Sequence, residues 1–243
     1  MRLFTQLNQA PFYYTIQNHK TMGKNILLSI TGRTENEWQD KLQEIQSHNI
    51  TECALFLELH EKDQREEIYA ALPKSPITSI PLVHIRHDMT KDELEFLQEN
   101  FKTKYFTCHE ENFVNHDVEH WKGFYKNIYL EMNFDNIVAK ETQVEKIGGF
   151  CIDLAHFKVG LEKLSKDFEY IFKRKDKDIF ICNHVNGWNP EKNIDMHTIH
   201  SLQDFDYLKT LPKFVIGECI ALETFNTIEE QITFKNYLID LLS

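Results

Sequence analysis

The chain of 243 residues is 42% apolar and 27% charged, which provides one large core and excludes a disordered or fibrous protein. Its formal net charge of −11 excludes a globally basic footprint for nucleic acid. No run approaches the about 18 apolar residues of a membrane span. The N-terminus lacks the basic and apolar blocks of a signal peptide, so a cytoplasmic protein without membrane contact is expected.

Residues 1–24 are polar and aromatic without a clear period, and an irregular segment is expected there. After them, apolar runs alternate with amphipathic stretches. The runs cover 26–30, 53–59, 80–86, 105–109, 128–131, 149–153, 179–184 and 214–219, each the length of a short strand. Between them, 34–48, 62–71, 90–100, 117–126, 157–174 and 201–208 have helical spacing, and 227–242 closes the chain. Thr34 with Glu37 and Thr227 with Glu230 have the spacing of capping boxes. No linker or low-complexity stretch divides 1–243, so a single domain is expected. Regular strand–helix alternation predicts a parallel sheet, and eight runs predict closure into a single (β/α)8 TIM barrel, a fold of about 250 residues. An open doubly wound sheet fits less well, because Ser29-Ile30-Thr31-Gly32-Arg33 has only one glycine where a phosphate loop would stand. Cys53, Cys108, Cys151, Cys182 and Cys219 are scattered singly in the apolar runs. They read as reduced, buried thiols rather than disulfides or zinc thiolates. The basic cluster at 173–177 reads as a solvated helix end.

Most of these runs stop on a residue able to bind a metal. The endings are His84, His109, Glu131, Asp153, His184 and Glu218, with His156 three residues after Asp153. Side chains two apart share a strand face, so His84 pairs with Leu82, His109 with Thr107, Glu131 with Tyr129, Asp153 with Cys151 and His184 with Cys182. Each candidate is then the last inward position of its strand, at the end where such barrels carry their sites. Asp195 and His197 join them from the following loop. Imidazole and carboxylate without thiolate suit Zn, Mn, Co or Mg. Glu223 competes with Glu218 for the last strand, and Glu218 is preferred because it ends the β-branched run. Arg33, Arg86 and Lys158 lie near strand ends and are candidates for holding a substrate phosphate.

Cys151-Ile152-Asp153-Leu154-Ala155-His156-Phe157 resembles the Asp-x-x-His strand of the xylose isomerase-like superfamily, which includes sugar epimerases and endonuclease IV. Tyr129-Leu130-Glu131-Met132-Asn133, Asn183-His184-Val185-Asn186 and Gly217-Glu218 resemble the flanking strands of that pattern. The resemblance spans roughly residues 80–243. In the isomerase and epimerase branch it implies one divalent ion held by Glu131, Asp153, His184 and Glu218. Glu131 and Glu218 are then the catalytic proton carriers, and His156 holds a substrate hydroxyl; Arg86 and Lys158 are substrate-binding candidates from their position near strand ends alone. In the endonuclease branch it implies a zinc cluster on His84, His109, Glu131, Asp153, His156, His184, Asp195, His197 and Glu218, acting on abasic DNA.

The acidic charge and short chain favour the first reading. The expectation is a divalent-metal-dependent enzyme, an isomerase or epimerase of a small sugar or sugar phosphate. An endonuclease IV-like zinc phosphoesterase is the alternative, although the charge does not support DNA as partner. A barrel that binds a metal or ligand without turnover is the non-enzymatic possibility. Pairing into a homo-oligomer is compatible with any of them.

Overall fold

A computed structural model describes residues 23–34, 36–110, 119–131, 146–165, 172 and 180–243. The irregular stretch 1–22, the basic cluster at 173–177, and parts of the amphipathic stretches at 117–126 and 157–174 lie outside the described residues.

An α/β fold is built around a nearly closed, barrel-like sheet of nine parallel strands. In chain order these are β1 (Asn25–Leu27), β2 (Ser29–Ile30), β3 (Ala54–Phe56), β4 (Leu82–His84), β5 (Tyr105–His109), β6 (Ile128–Glu131), β7 (Gly149–Asp153), β8 (Phe180–Val185) and β11 (Cys219–Leu222). A separate antiparallel hairpin pairs β9 (Gly187–Asn189) with β10 (Ile194–Met196). The sheet runs β1-β11-β8-β7-β6-β5-β4-β3-β2. Its two edge strands are separated in the chain by Leu28 alone, whose carbonyl accepts from Ala54 N at 2.7 Å. The backbone of Ser29 between these neighbours is satisfied by a side chain. Its N–H donates to Gln231 Oε1 at 2.8 Å, and its carbonyl accepts from Gln231 Nε2 at 3.2 Å. A fully buried glutamine thus takes the hydrogen bonds that the ladder does not supply.

Side-chain alternation splits the apolar residues into two layers. Leu27, Ala54, Phe56, Leu82, Tyr129, Cys151, Cys182, Cys219 and Ala221 fill the interior of the sheet. Their strand neighbours, among them Leu55, Val83, Phe106, Leu130, Ile152 and Ile220, face outward into the main core beneath the helices. The five cysteines are free and buried.

Among the described residues, five α-helices are formed. α1 (Glu37–Ser47) buries Trp38, Lys41, Leu42 and Ile45, and α3 (Lys91–Phe101) buries Leu94, Leu97 and Phe101, both at helical spacing. α2 (Lys62–Ala71) lies between them, α4 is Leu154–Lys163, and α5 (Ile228–Leu241) starts at the expected Thr227–Glu230 capping box. Thr34 is not a cap. α1 starts after Asn36, and the Glu37 carboxylate instead accepts from Arg33 N at 3.1 Å. The described part of 117–126 carries only the 3₁₀ turns Glu119–Trp121 and Tyr125–Asn127, and the expected helix at 201–208 is the 3₁₀ helix Leu202–Thr210. No helix among the described residues is long and apolar enough to cross a membrane.

The last strand requires a further correction. Residues 214–217 do not form a strand, and β11 begins only at Cys219. The buried Asn183 side chain explains this. It donates to Val215 O at 2.8 Å and accepts from Gly217 N at 2.6 Å, holding a 3₁₀ turn (Lys213–Val215) against the sheet. Gly217 is pressed so closely on β8 that a Cβ there would stand 2.2 Å from Ile181 O. That approach is open only to glycine.

Candidate metal centre

Each sheet strand from β4 to β8 carries a polar side chain at or near its carboxyl end, on the inward phase. His84 ends β4, His109 ends β5, Glu131 ends β6, Asp153 ends β7, and His184 is the fifth residue of β8. Register aligns them, with His109 beside Glu131 and Asp153 beside His184. A register shift after Phe150 produces the second alignment; without it Asp153 would face Asn183, which points outward. Asp153 also caps α4, accepting from His156 N at 2.7 Å, which brings His156 to the same end. Asp195 on β10 and His197 just after it share a face of the hairpin and meet His156. Asp195 Oδ2 lies 3.4 Å from both His156 Nε2 and His197 Nε2.

Glu218 does not join them. It precedes β11, where its backbone carbonyl accepts from Asn25 N at 2.7 Å, and it lines a hollow at the amino ends of the strands with Glu52 and Ser79. Glu223 takes the place expected of Glu218. The inward phase of β11 is Cys219 and Ala221, so the next inward residue is Glu223, and its Oε2 lies 3.4 Å from His184 Nδ1. The β-branched run pointed to the wrong glutamate because it is a turn. Arg86 and Lys158 are also turned aside. Arg86 pairs with Glu61 at 2.7 Å and Asp88 at 3.3 Å, while Lys158 pairs with Glu162 at 2.6 Å over the Trp188 ring.

Glu58 was missed by the sequence reading. It lies just beyond β3 in phase with the inward residues Ala54 and Phe56, and its Oε2 is 3.8 Å from His84 Nδ1. A single carboxylate inside the apolar run Ala54-Leu55-Phe56-Leu57-Glu58-Leu59, two residues past an inward phenylalanine, was the available signal.

Glu131 is the hub. Its Oε2 lies 3.1 Å from His184 Nδ1, 3.6 Å from His84 Nδ1 and 4.0 Å from His109 Nδ1. Outer contacts orient several of these groups. Asn186 Nδ2 donates to Asp153 Oδ2 at 3.0 Å, the Thr107 hydroxyl meets His184 Nε2 at 3.1 Å, and His197 Nδ1 meets the Glu223 carbonyl at 3.1 Å. A cavity of about 400 Å³ opens over the group, lined by Glu58, His109, Glu131, His156, His197 and Glu223. Arg33 lies over the ring of Phe225, which lines the cavity, 5.4 Å from the centroid, and donates to the Thr198 hydroxyl at 2.6 Å.

The electrostatics are those of a crowded acidic pocket. Burial alone would raise the Glu131 pKa, but His184 and His109 hold it well below the usual carboxylate range. Burial opposes charge on His184, yet Glu131 and Glu223 keep its pKa well above normal. Burial likewise opposes charge on His156 and His197. Asp153 and Asp195 still raise His156 to about 10, and Asp195 with Glu223 raises His197 to about 9. Burial depresses His84 to about 3, and burial together with Glu223 raises Glu58 to about 8. Protons on three imidazoles therefore offset charge that the carboxylates would otherwise concentrate.

Glu58 Oε2, both nitrogens of His84, Glu131 Oε2, His184 Nδ1 and Glu223 Oε2 are buried without a hydrogen-bond partner. Leaving so many buried polar atoms unsatisfied is costly unless something else engages them. Their chemistry fits a divalent cation, which uses imidazole and carboxylate lone pairs. Among the described residues, four overlapping triads bring ligand atoms within 4.8 Å of one another: His84–Glu131–His184, Glu58–His84–Glu223, Glu131–Asp153–His156 and His156–Asp195–His197. Comparison with family models, with curated proteins and with solved structures gave no match to the chain.

Proposed function

We propose that the sheet is a (β/α)8 barrel of the xylose isomerase-like type, β1 and β2 counting as one strand bent at Leu28. We further propose that the protein is a divalent-metal-dependent hydrolase of small phosphate esters, with a ligand set similar to that of the endonuclease IV branch and Glu223 in the closing position. The observation that carries this reading is the His156–Asp195–His197 triad, which a one-ion isomerase site does not require. A single-ion site on Glu131, Asp153, His184 and Glu223 would leave His156 for the substrate. Here His156 faces Asp195 instead, at 3.4 Å.

Divalent ions held there would supply Lewis-acid polarisation of phosphoryl oxygens and acidify a bound water. The chain's own residues do the rest. Glu131 and Glu223 approach the common point from two strands, Asn186 fixes the Asp153 carboxylate, and Thr107 fixes the His184 ring. Arg33 over the Phe225 ring presents a guanidinium suited to a phosphate oxygen. The cavity of about 400 Å³ has the size of a small-molecule site, and the net charge of −11 favours a small ester over a long duplex.

The test is to load chelator-treated protein with Zn²⁺ or Mn²⁺ and assay a phosphomonoester, a phosphodiester and an abasic duplex. Hydrolysis of a small ester, lost in His109→Ala and His197→Ala, is expected. A fully loaded protein that cleaves none of the three would overturn the reading. A second reading, sugar isomerisation, draws on the pair of carboxylates flanking His184 Nδ1, Glu131 at 3.1 Å and Glu223 at 3.4 Å. It requires solvent-proton exchange into a ketose that disappears in Glu131→Gln and Glu223→Gln.

A further inference from the structure

We propose that Glu58 is a further metal ligand, sharing with His84 a carboxylate-rich position able to hold Mn²⁺. The inference rests on the metal-centre reading above and adds a ligand from β3, a strand that reading does not use.

Glu58 follows the inward residues Ala54 and Phe56, and it lines the cavity rather than the outer core. Its Oε2 is buried and makes no hydrogen bond. The ion-pairing group near it is His84, whose two ring nitrogens are themselves without a hydrogen-bond partner. A carboxylate placed for structure finds a donor, as Glu52 does with Asn25 Nδ2 at 3.0 Å and Ser79 Oγ at 2.8 Å. Glu58 finds none.

The spacing suits a shared ion. Two donor atoms, each about 2.1 Å from one ion and splayed between a right angle and the tetrahedral angle, stand roughly 3.0–3.4 Å apart. From His84 Nδ1, Glu131 Oε2 is 3.6 Å away and Glu58 Oε2 is 3.8 Å away. Small torsional changes at either carboxylate close that gap. Glu223 completes a triad with Glu58 and His84 within 4.8 Å.

Donor chemistry then separates two positions in one cavity. Glu58, Glu131 and Glu223 around His84 make an oxygen-rich set, which suits Mn²⁺ and other hard ions. His156, Asp195 and His197 make a set of two imidazoles and one carboxylate, which suits Zn²⁺.

The experiment titrates chelator-treated full-length protein with Mn²⁺, reading free Mn²⁺ by its EPR signal, and separately with Zn²⁺. Glu58→Gln is expected to bind Mn²⁺ at least about 10-fold more weakly, since even losses in the outer shell of a site cost that much. Zn²⁺ uptake by the His156 group should be unchanged in the same variant. Glu58→Asp keeps the charge on a shorter arm and should fall between the two, giving a readout if the glutamine variant does not fold. Unchanged Mn²⁺ stoichiometry and affinity in both variants would remove Glu58 from the centre and leave the metal-centre reading intact. A wild-type protein that takes up no divalent ion would overturn both readings.

Discussion

Two buried polar clusters lie near the same end of the sheet, and they are built on opposite terms. In the first, Arg65 on α2 is 1% exposed and every direction of its guanidinium is used. It meets Glu93 at 2.7 Å, Asp88 at 3.2 Å and the His60 carbonyl at 2.8 Å, and Tyr69 donates to Glu93 at 3.1 Å. In the second, Glu58, Glu131 and Glu223 crowd against His84 and His184; His184 Nδ1 is ion-paired with Glu131 at 3.1 Å and Glu223 at 3.4 Å, but the facing atoms, with both nitrogens of His84, lack hydrogen-bond geometry. The first cluster is closed and electrostatically matched, as expected of a group that ties α2 to α3. The second is a set of ligands arranged around a point. Burial is common to both, so burial alone does not distinguish a structural polar group from a functional one; satisfaction does.

Substitutions sharpen that contrast, the largest effect first. Arg65→Met leaves Glu93 without its cation, although Asp88 keeps Arg86, and should destabilise the fold by about 3 kcal/mol in denaturant unfolding, while folded molecules keep their metal uptake. Burial raises the Glu93 pKa, but its bonds to Arg65 outweigh this and lower it below 4.5. Its support is therefore present above that pH and is lost as pH falls through the depressed value, so acid should narrow the gap between wild type and variant. A variant as stable as wild type near neutral pH would refute the structural role.

Glu223→Gln acts on the open cluster. Metal affinity by calorimetry should fall by more than about 100-fold, the upper end of what losing an outer-shell partner costs. Metal uptake should also release protons near neutral pH, because His156 and His197 hold theirs up to about 10 and about 9 in the metal-free protein. Affinity should rise with pH accordingly. Asn186→Ala removes the bond that orients Asp153 and a longer contact with His197 Nδ1 at 3.5 Å, and a loss of roughly 10–100-fold is expected, with the fold intact.

A subtler difference should appear in the metal-free protein. The Glu58 pKa, raised to about 8 from 4.5, makes wild type lose stability relative to Glu58→Gln as pH rises between those values. The unfolded chain ionises there while the folded one does not. Parallel stability curves across that interval would show that Glu58 is not held in an unfavourable setting. Glu218→Gln, at the other end of the sheet, should change stability by less than about 0.5 kcal/mol and leave metal uptake untouched. A loss of metal in that variant would return the closing position to Glu218.

Much of the architecture was legible from local pattern. Period-two alternation located the inward phase of β4 to β8, because a side chain two residues from a buried neighbour must share its face. That rule brought His84, His109, Glu131, Asp153 and His184 to one end before any contact was known. The helices were less legible. The described part of 117–126 and the stretch 201–208 have helical spacing, but they fold as 3₁₀ turns because spacing alone does not decide how tightly a short connection winds.

The amino-acid sequence by itself determined which residue types end the strands and which faces they share, since these follow from chain geometry within a few residues. Only the tertiary structure decided the last strand and the extra carboxylate. Asn183, more than thirty residues away, engages the backbone at Val215 and Gly217 and makes a turn of a run that reads as a strand. The inward phase thereby moves from Glu218 to Glu223. The inward phase of Glu58 was legible from Phe56, but what it faces was shown only when β3 was set beside β4, with Phe56 opposite His84. Both depend on which distant groups claim a backbone or share a register, and neither is encoded within the length of one strand.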